Sequence, residues 1–295
     1  MRLGAEGESS VGAGDGAIFT RHTARVGALG VSYLKGGTAR EVEPVLYLHG
    51  LGGGGKWESF HMAMGTVTLT VAPTLPGWQD GELPAGVSGV KDYGVLVTQF
   101  LDAVGLDRVA VVGHSVGGWV AMQMATQNPE RVSRLALLDP MGLDIPDAPT
   151  ADLGALDEEA FAKAVFGRLG FIATAQPYGF GAEWQNIRQG PEFERQWKGR
   201  NLVVKLTGGR YADPALTESL PAIRQATLLL WGRLDGIVPV RQAEAVHARL
   251  PGSKLKVVDR VGHLPMVERP ETANRLIRDF LVGVDEDIAD VARVR

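Results

Sequence analysis

Six short runs of consecutive apolar residues, each ending at turn-forming residues, constrain this chain more than any other feature. They fall at 44–48, 67–72, 108–112, 135–138, 227–231 and 255–258. A strand with one wet face alternates apolar and polar residues, whereas a run apolar throughout fits a strand covered on both faces. Between the runs, residues 90–104, 116–127, 240–250 and 271–282 carry apolar side chains three and four apart, the spacing of one helical face. Asn128-Pro129 and Pro251-Gly252 stop two of these helices. Strand alternating with helix predicts an α/β chain with a mainly parallel sheet, helices on both faces and right-handed crossovers. Residues 17–26 and 29–35 read as two further strands around Gly27, which makes eight.

The alternation breaks between 141 and 222. Helix-like pieces at 156–169 and 182–189 stand there with little strand pattern, so the stretch reads as a helical lid inserted into one core rather than a second domain. The organisation expected is a disordered leader over 1–16, a core of 17–140 and 223–282, a lid over 141–222 and a charged tail over 283–295.

Composition removes several function classes. The chain has no cysteine among its 295 residues, which excludes disulfides, thiolate metal sites and a cysteine nucleophile. Its net charge is -4 and no block of like charge occurs, so no nucleic-acid footprint is expected. No apolar stretch approaches membrane-spanning length, and the start lacks the apolar core of a secretion signal. The expectation is a soluble, cytoplasmic protein that acts on a small molecule, as a monomer or a dimer. The six histidines are scattered and paired acids such as Glu158-Glu159 read as a solvated helix start, so no metal site is expected.

The chemistry concentrates at Gly113-His114-Ser115-Val116-Gly117-Gly118, which follows an apolar run and opens a helix. A turn that tight excludes side chains two residues either side of the serine, and it lifts the hydroxyl clear of the backbone at the carboxyl edge of the sheet. A serine hydroxyl needs a base. His263 follows the last strand and so sits at the same edge; His49 belongs to another loop, His114 is expected to point away from the serine, and His22, His61 and His247 have no route there. The base needs an acid to fix its tautomer. Asp235 follows the penultimate strand and gives the order Ser115, Asp235, His263. Asp139, after the strand that precedes the lid, is its competitor, and Asp259 reads as a turn cap. For the oxyanion, the amide of Val116 lies at a helix N-terminus, and the loop His49-Gly50-Leu51-Gly52-Gly53-Gly54-Gly55 offers Leu51, with Gly52 as the alternative. That loop is not a phosphate cradle, because Gly55-Lys56-Trp57 lacks the hydroxyl residue such a site requires.

Taken together, His49-Gly50 with its glycines, the elbow around Ser115, Gly232-Arg233-Leu234-Asp235 and Gly262-His263 with Glu268-Arg269-Pro270 resemble the α/β-hydrolase superfamily over residues 17–282. The resemblance implies a central, mainly parallel, eight-stranded sheet, a helical lid over the serine and no organic cofactor. It implies triad roles for Ser115, Asp235 and His263, with Leu51 and Val116 as the oxyanion hole. Within the superfamily the chain is similar to carboxylesterases, lactonases and meta-cleavage-product C–C hydrolases. It departs from the last group in having Leu264, not tryptophan, after the histidine, and only Arg188 or Arg195 as candidates to hold an acidic substrate. A cofactor-free haloperoxidase or perhydrolase, and a ligand receptor on a hydrolase scaffold, are the remaining alternatives. Phe161, Trp184 and Leu264 are the candidate substrate-binding residues, with Phe166, Phe171, Tyr178 and Phe180 as further aromatic lining.

Overall fold

A computed structural model describes residues 9–10, 19–38, 42–79, 83–173 and 191–284. Eight strands of four to eight residues form one sheet: β2 (Phe19–Val26), β3 (Leu29–Gly36), β4 (Val45–Leu48), β5 (Thr70–Pro73), β6 (Val109–His114), β7 (Val132–Leu138), β8 (Ala226–Gly232) and β9 (Ser253–Val258). A two-residue pairing, β1 (Ser9–Ser10), adds to its edge inside the stretch read as a leader. The order is β1-β2-β3-β5-β4-β6-β7-β8-β9; pairings up to β3–β5 are antiparallel and all later ones parallel.

The apolar runs lie where they should. Every residue of β4, β5 and β6 is buried, while β9, at the sheet edge, alternates buried and half-buried positions. The helices that cover the sheet are α1 (Ser59–Gly65), α2 (Asp92–Ala103), α3 (Val116–Gln127), α7 (Arg241–Arg249), α8 (Pro265–Glu268) and α9 (Pro270–Val282). Helix α3 is buried almost all round, and Trp231, Tyr93, Phe60 and Phe280 are among the largest side chains sealed in the core. The sequence run at 67–72 begins as a strand only at Thr70, because the amides of Val67 and Thr68 close the end of α1 on the Met64 carbonyl.

Between β7 and β8 lie α4 (Glu158–Ala173), α5 (Pro191–Thr207) and α6 (Pro214–Ser219), with a single parallel bridge, Gly142 to Ala212, and no named strand among the described residues. The helix expected at 182–189 lies outside the described residues. Among those residues no helix is long and apolar enough to cross a membrane.

The topology places the site. Strand β4 pairs with β5 on one side and β6 on the other, so chain order reverses at β4. Loops leaving β4 and β6 at their carboxyl ends therefore part and leave a crevice, the usual ligand position in an open α/β sheet.

Candidate active site

Ser115 stands between β6 and α3 at φ 56 and ψ -120, a left-handed backbone forced on a residue with a side chain. Such strain costs about 1–3 kcal/mol and persists only where the surroundings impose it. Here they do: the Ser115 amide donates to the Leu138 carbonyl at 2.9 Å, and its carbonyl accepts from Gly118, Trp119 and Met141. Gly117 makes the turn feasible, since a Cβ there would lie 2.1 Å from the Leu48 carbonyl oxygen of β4.

Three predicted side chains meet in one hydrogen-bonded chain. His263 Nδ1 is 2.7 Å from Asp235 Oδ2, and its Nε2 is 2.8 Å from Ser115 Oγ. With Asp235 ionised, Nδ1–H donates to the carboxylate and Nε2 is free to accept the serine proton. Asp235 Oδ1 accepts the amides of Ile237 and Val238 at 2.7 and 2.9 Å. All three residues are buried, Ser115 completely. Burial pulls the His263 pKa down to about 4, against the upward pull of Asp139 and Glu268. Burial also lifts Asp235 to about 7, against the three donors that favour its anion.

Two residues that hold this arrangement escaped the sequence reading. The Nε2 of His114 meets the His263 carbonyl oxygen at 2.7 Å. Glu268, on α8, accepts the amides of Gly262 and Leu264, either side of the base. An acid in the first turn of a helix just after the histidine was the available signal. The insertion takes part too: the His263 amide donates to Val165 O at 2.6 Å and the Gly236 amide to Ala164 O at 2.9 Å, both carbonyls of α4. Against α5, a Cβ on Gly199 would sit 1.8 Å from Leu51 O, so helix backbone rests on the glycine loop.

A cavity of about 300 Å³ opens beside His263. Leu51, Leu264 and Met266 give it an apolar wall, and Lys56, Glu58 and Gln196 a polar one. Gly52 also lines it. The Leu51 peptide is fixed by Trp78 Nε1, which donates to its carbonyl at 3.2 Å. Val116 opens α3 directly after Ser115 and is fully buried. Phe161 is drawn elsewhere: it is buried inside the insertion, its ring 6.3 Å from Phe193 and 5.8 Å from Trp197. Trp184, Tyr178, Phe180 and Arg188 lie outside the described residues. Arg195 lines a second cavity of about 410 Å³ with Trp78 and Gln79, on the other side of Gly52. Asp259 pairs with Arg233 at the surface.

Asp139, the competing acid, is fully buried and does not touch the base; its Oδ1 accepts the Gly232 amide at 2.8 Å. One donor atom each from Asp139, Asp235 and His263 lie within 4.8 Å of one another, a spacing a metal ion could bridge. The hydrogen bond between His263 and Asp235 already engages both those side chains.

The titrating groups set the acid response of the fold. Burial lowers His49, His61, His114 and His263 to between about 3 and 4, so these imidazoles take up protons only on unfolding. Their contribution is lost as pH falls from about 6.5. Burial raises Asp139 well above the ordinary carboxylate range and Glu268 to about 7, so both hold protons in the fold and their contribution grows as pH falls. Four histidines against two carboxyls leave about two net protons taken up on unfolding. Urea titrations at pH 6 and pH 5 should therefore differ by about 2.7 kcal/mol in unfolding free energy. A fall about twice as steep would mean that neither carboxyl is protonated in the fold.

Known proteins match this architecture. The profile of the alpha/beta hydrolase family matches residues 45–276. The chain is 27% identical to the 2-hydroxy-6-oxo-6-phenylhexa-2,4-dienoate hydrolase of Burkholderia cepacia, over 83% of this chain and 90% of that protein. A bacterial membrane phospholipase A structure superposes with a TM-score of 0.73 at 27% identity, covering 91% of this chain and 87% of that one. A meta-cleavage product hydrolase from Pseudomonas fluorescens IP01 shares the fold, with a TM-score of 0.69 at 20% identity and coverage of 89% and 97%. The chain belongs to the alpha/beta hydrolase family.

Proposed function

We propose that the chain is a serine hydrolase that cleaves a carboxylic ester or lactone of a small to medium, mostly apolar substrate through an acyl-enzyme. The observation that carries this reading is the unbroken chain Ser115–His263–Asp235 beside a cavity bounded by the Leu51 loop. The Ser115 hydroxyl proton passes to His263 Nε2 as Oγ attacks the carbonyl carbon. The Leu51 and Val116 amides receive the developing oxyanion, with Gly52 adjoining. His263 then protonates the leaving alcohol, and afterwards takes a proton from the water that releases the acid. Asp235 remains ionised and balances the imidazolium. The insertion acts as the lid, since Ser115 has no exposed surface beneath it.

A second reading, hydrolysis of a C–C bond in a dienone acid, draws support from the named relatives. Leu264 stands where that group carries tryptophan, and the departure weighs against this reading. A series of p-nitrophenyl esters from acetate to decanoate decides between the readings. Turnover with a clear chain-length optimum is the expected result. Labelling of Ser115 by a fluorophosphonate without turnover of any ester would overturn the ester reading in favour of the C–C hydrolase, and failure of both would remove the serine mechanism.

A further inference from the structure

The mechanism above gives Asp139 no task, yet the fold invests heavily in its position. It follows β7 with a left-handed backbone, φ 43. Its amide donates to Leu230 O of β8 at 3.0 Å and its Oδ1 accepts the Gly232 amide, so the residue is stitched to the strand that ends in the acid loop. Its Oδ2 is shut off from solvent, and among the described residues no hydrogen-bond partner meets it. The titratable groups acting on the side chain are Asp235, from the loop after β8, and His263, from the loop after β9; no lysine or arginine is among them. Behind His263 stand His114 of β6 and Glu268 of α8.

Two carboxyls side by side with no cation between them do not both ionise. A buried acid oxygen that receives no hydrogen bond is satisfied if it carries a proton and donates one. The nearby acceptor is Asp235, which is already held by two amides and the imidazole.

We infer that Asp139 is a positioning residue that carries a proton on Oδ2 and donates it to the Asp235 carboxylate. The site is then a chain of four, Ser115–His263–Asp235–Asp139, with one negative charge shared by two carboxyls. A neutral donor keeps Asp235 ionised at a pH where burial alone would neutralise it, and puts no second anion beside the base. Burial and the neighbouring Asp235 push Asp139 well above the ordinary carboxylate range, which agrees with that geometry.

This inference rests on the serine-hydrolase reading, so its test uses the full chain and two readouts. The first is the pH dependence of Ser115 labelling by a fluorophosphonate, in the wild type, Asp139→Ala and Asp139→Asn. Asparagine keeps an acceptor for the Gly232 amide and an N–H for Asp235; alanine keeps neither. Alanine should move the acid limb of the profile up by about one pH unit, the worth of a lost hydrogen bond to a charged group. Asparagine should restore it. If both variants move the limb down, a negative charge was removed and Asp139 is ionised; if neither moves it, Asp139 is only structural. Either result overturns the inference. The second readout is the infrared difference between wild type and Asp139→Asn at neutral pH, which decides the matter even if the alanine variant does not fold. A protonated-carboxyl band lost in Asp139→Asn supports the shared proton, and its absence from the wild type overturns it. A wild type whose band is lost in Asp139→Asn yet that takes no label keeps the shared proton and sinks the serine-hydrolase reading instead.

Discussion

Replacing Ser115 by alanine should lower kcat on the best ester of the series by about a million-fold. The size follows from what the substitution removes: the one atom that forms the acyl bond, with no second hydroxyl bonded to His263 Nε2 among the described residues. Substrate binding should survive, because the cavity walls at Leu51, Leu264 and Met266 do not involve the hydroxyl. The fall should therefore appear in kcat with KM little changed. Fluorophosphonate labelling should vanish in parallel. Turnover within tenfold of the wild type would place the reaction on another group and end the acyl-enzyme mechanism. The variant should fold normally, since the backbone bonds at Ser115 are main-chain bonds that alanine also makes.

Asp235→Asn should cost about 10⁴ in kcat. The amide oxygen can keep the Ile237 and Val238 amides, which turns the NH₂ group toward His263 Nδ1. The imidazole must then accept at Nδ1 and carry its proton on Nε2, where it faces the serine as a donor instead of a base. The pH–rate profile of the variant should lose the limb that the Asp235–His263 pair sets in the wild type. A loss below tenfold, with that limb intact, would show that another group orients His263.

Much of the fold was legible because its strands are covered on both faces, and a doubly covered strand is recorded as an unbroken apolar run. The runs ending at Gly113 and Gly232 also located the serine and the acid, since parallel strands deliver their carboxyl ends to one edge. What stayed hidden depends on distance across the chain. His114 and Glu268 act through the backbone around His263; nothing local marks His114 for that role, and Glu268 is marked only by its place in the first helical turn after the base. Phe161 was read toward the substrate because aromatic residues in an insertion line pockets about as readily as they pack together; here Phe193 and Trp197 claim it. Helix α1 was missed because the glycines before it give no helical spacing. The choice between Asp139 and Asp235 turned on the pairing of β7 with β8, which brings both acids to neighbouring strand ends and leaves only one in reach of the imidazole.

The insertion grips the acid and base loops by its main chain: two α4 carbonyls receive the amides of Gly236 and His263, and α5 lies on the Leu51 loop through a residue without a side chain. A main-chain grip is blind to side-chain identity but sensitive to register. Substitutions in the insertion can accumulate and reshape what the enzyme accepts while the base stays where it is. Adding or deleting one residue ahead of Val165 would instead turn the helix by about 100° and carry both carbonyls off their amides. Lineages of this architecture should therefore diversify in their insertions by exchange of side chains, with α4 held to constant length.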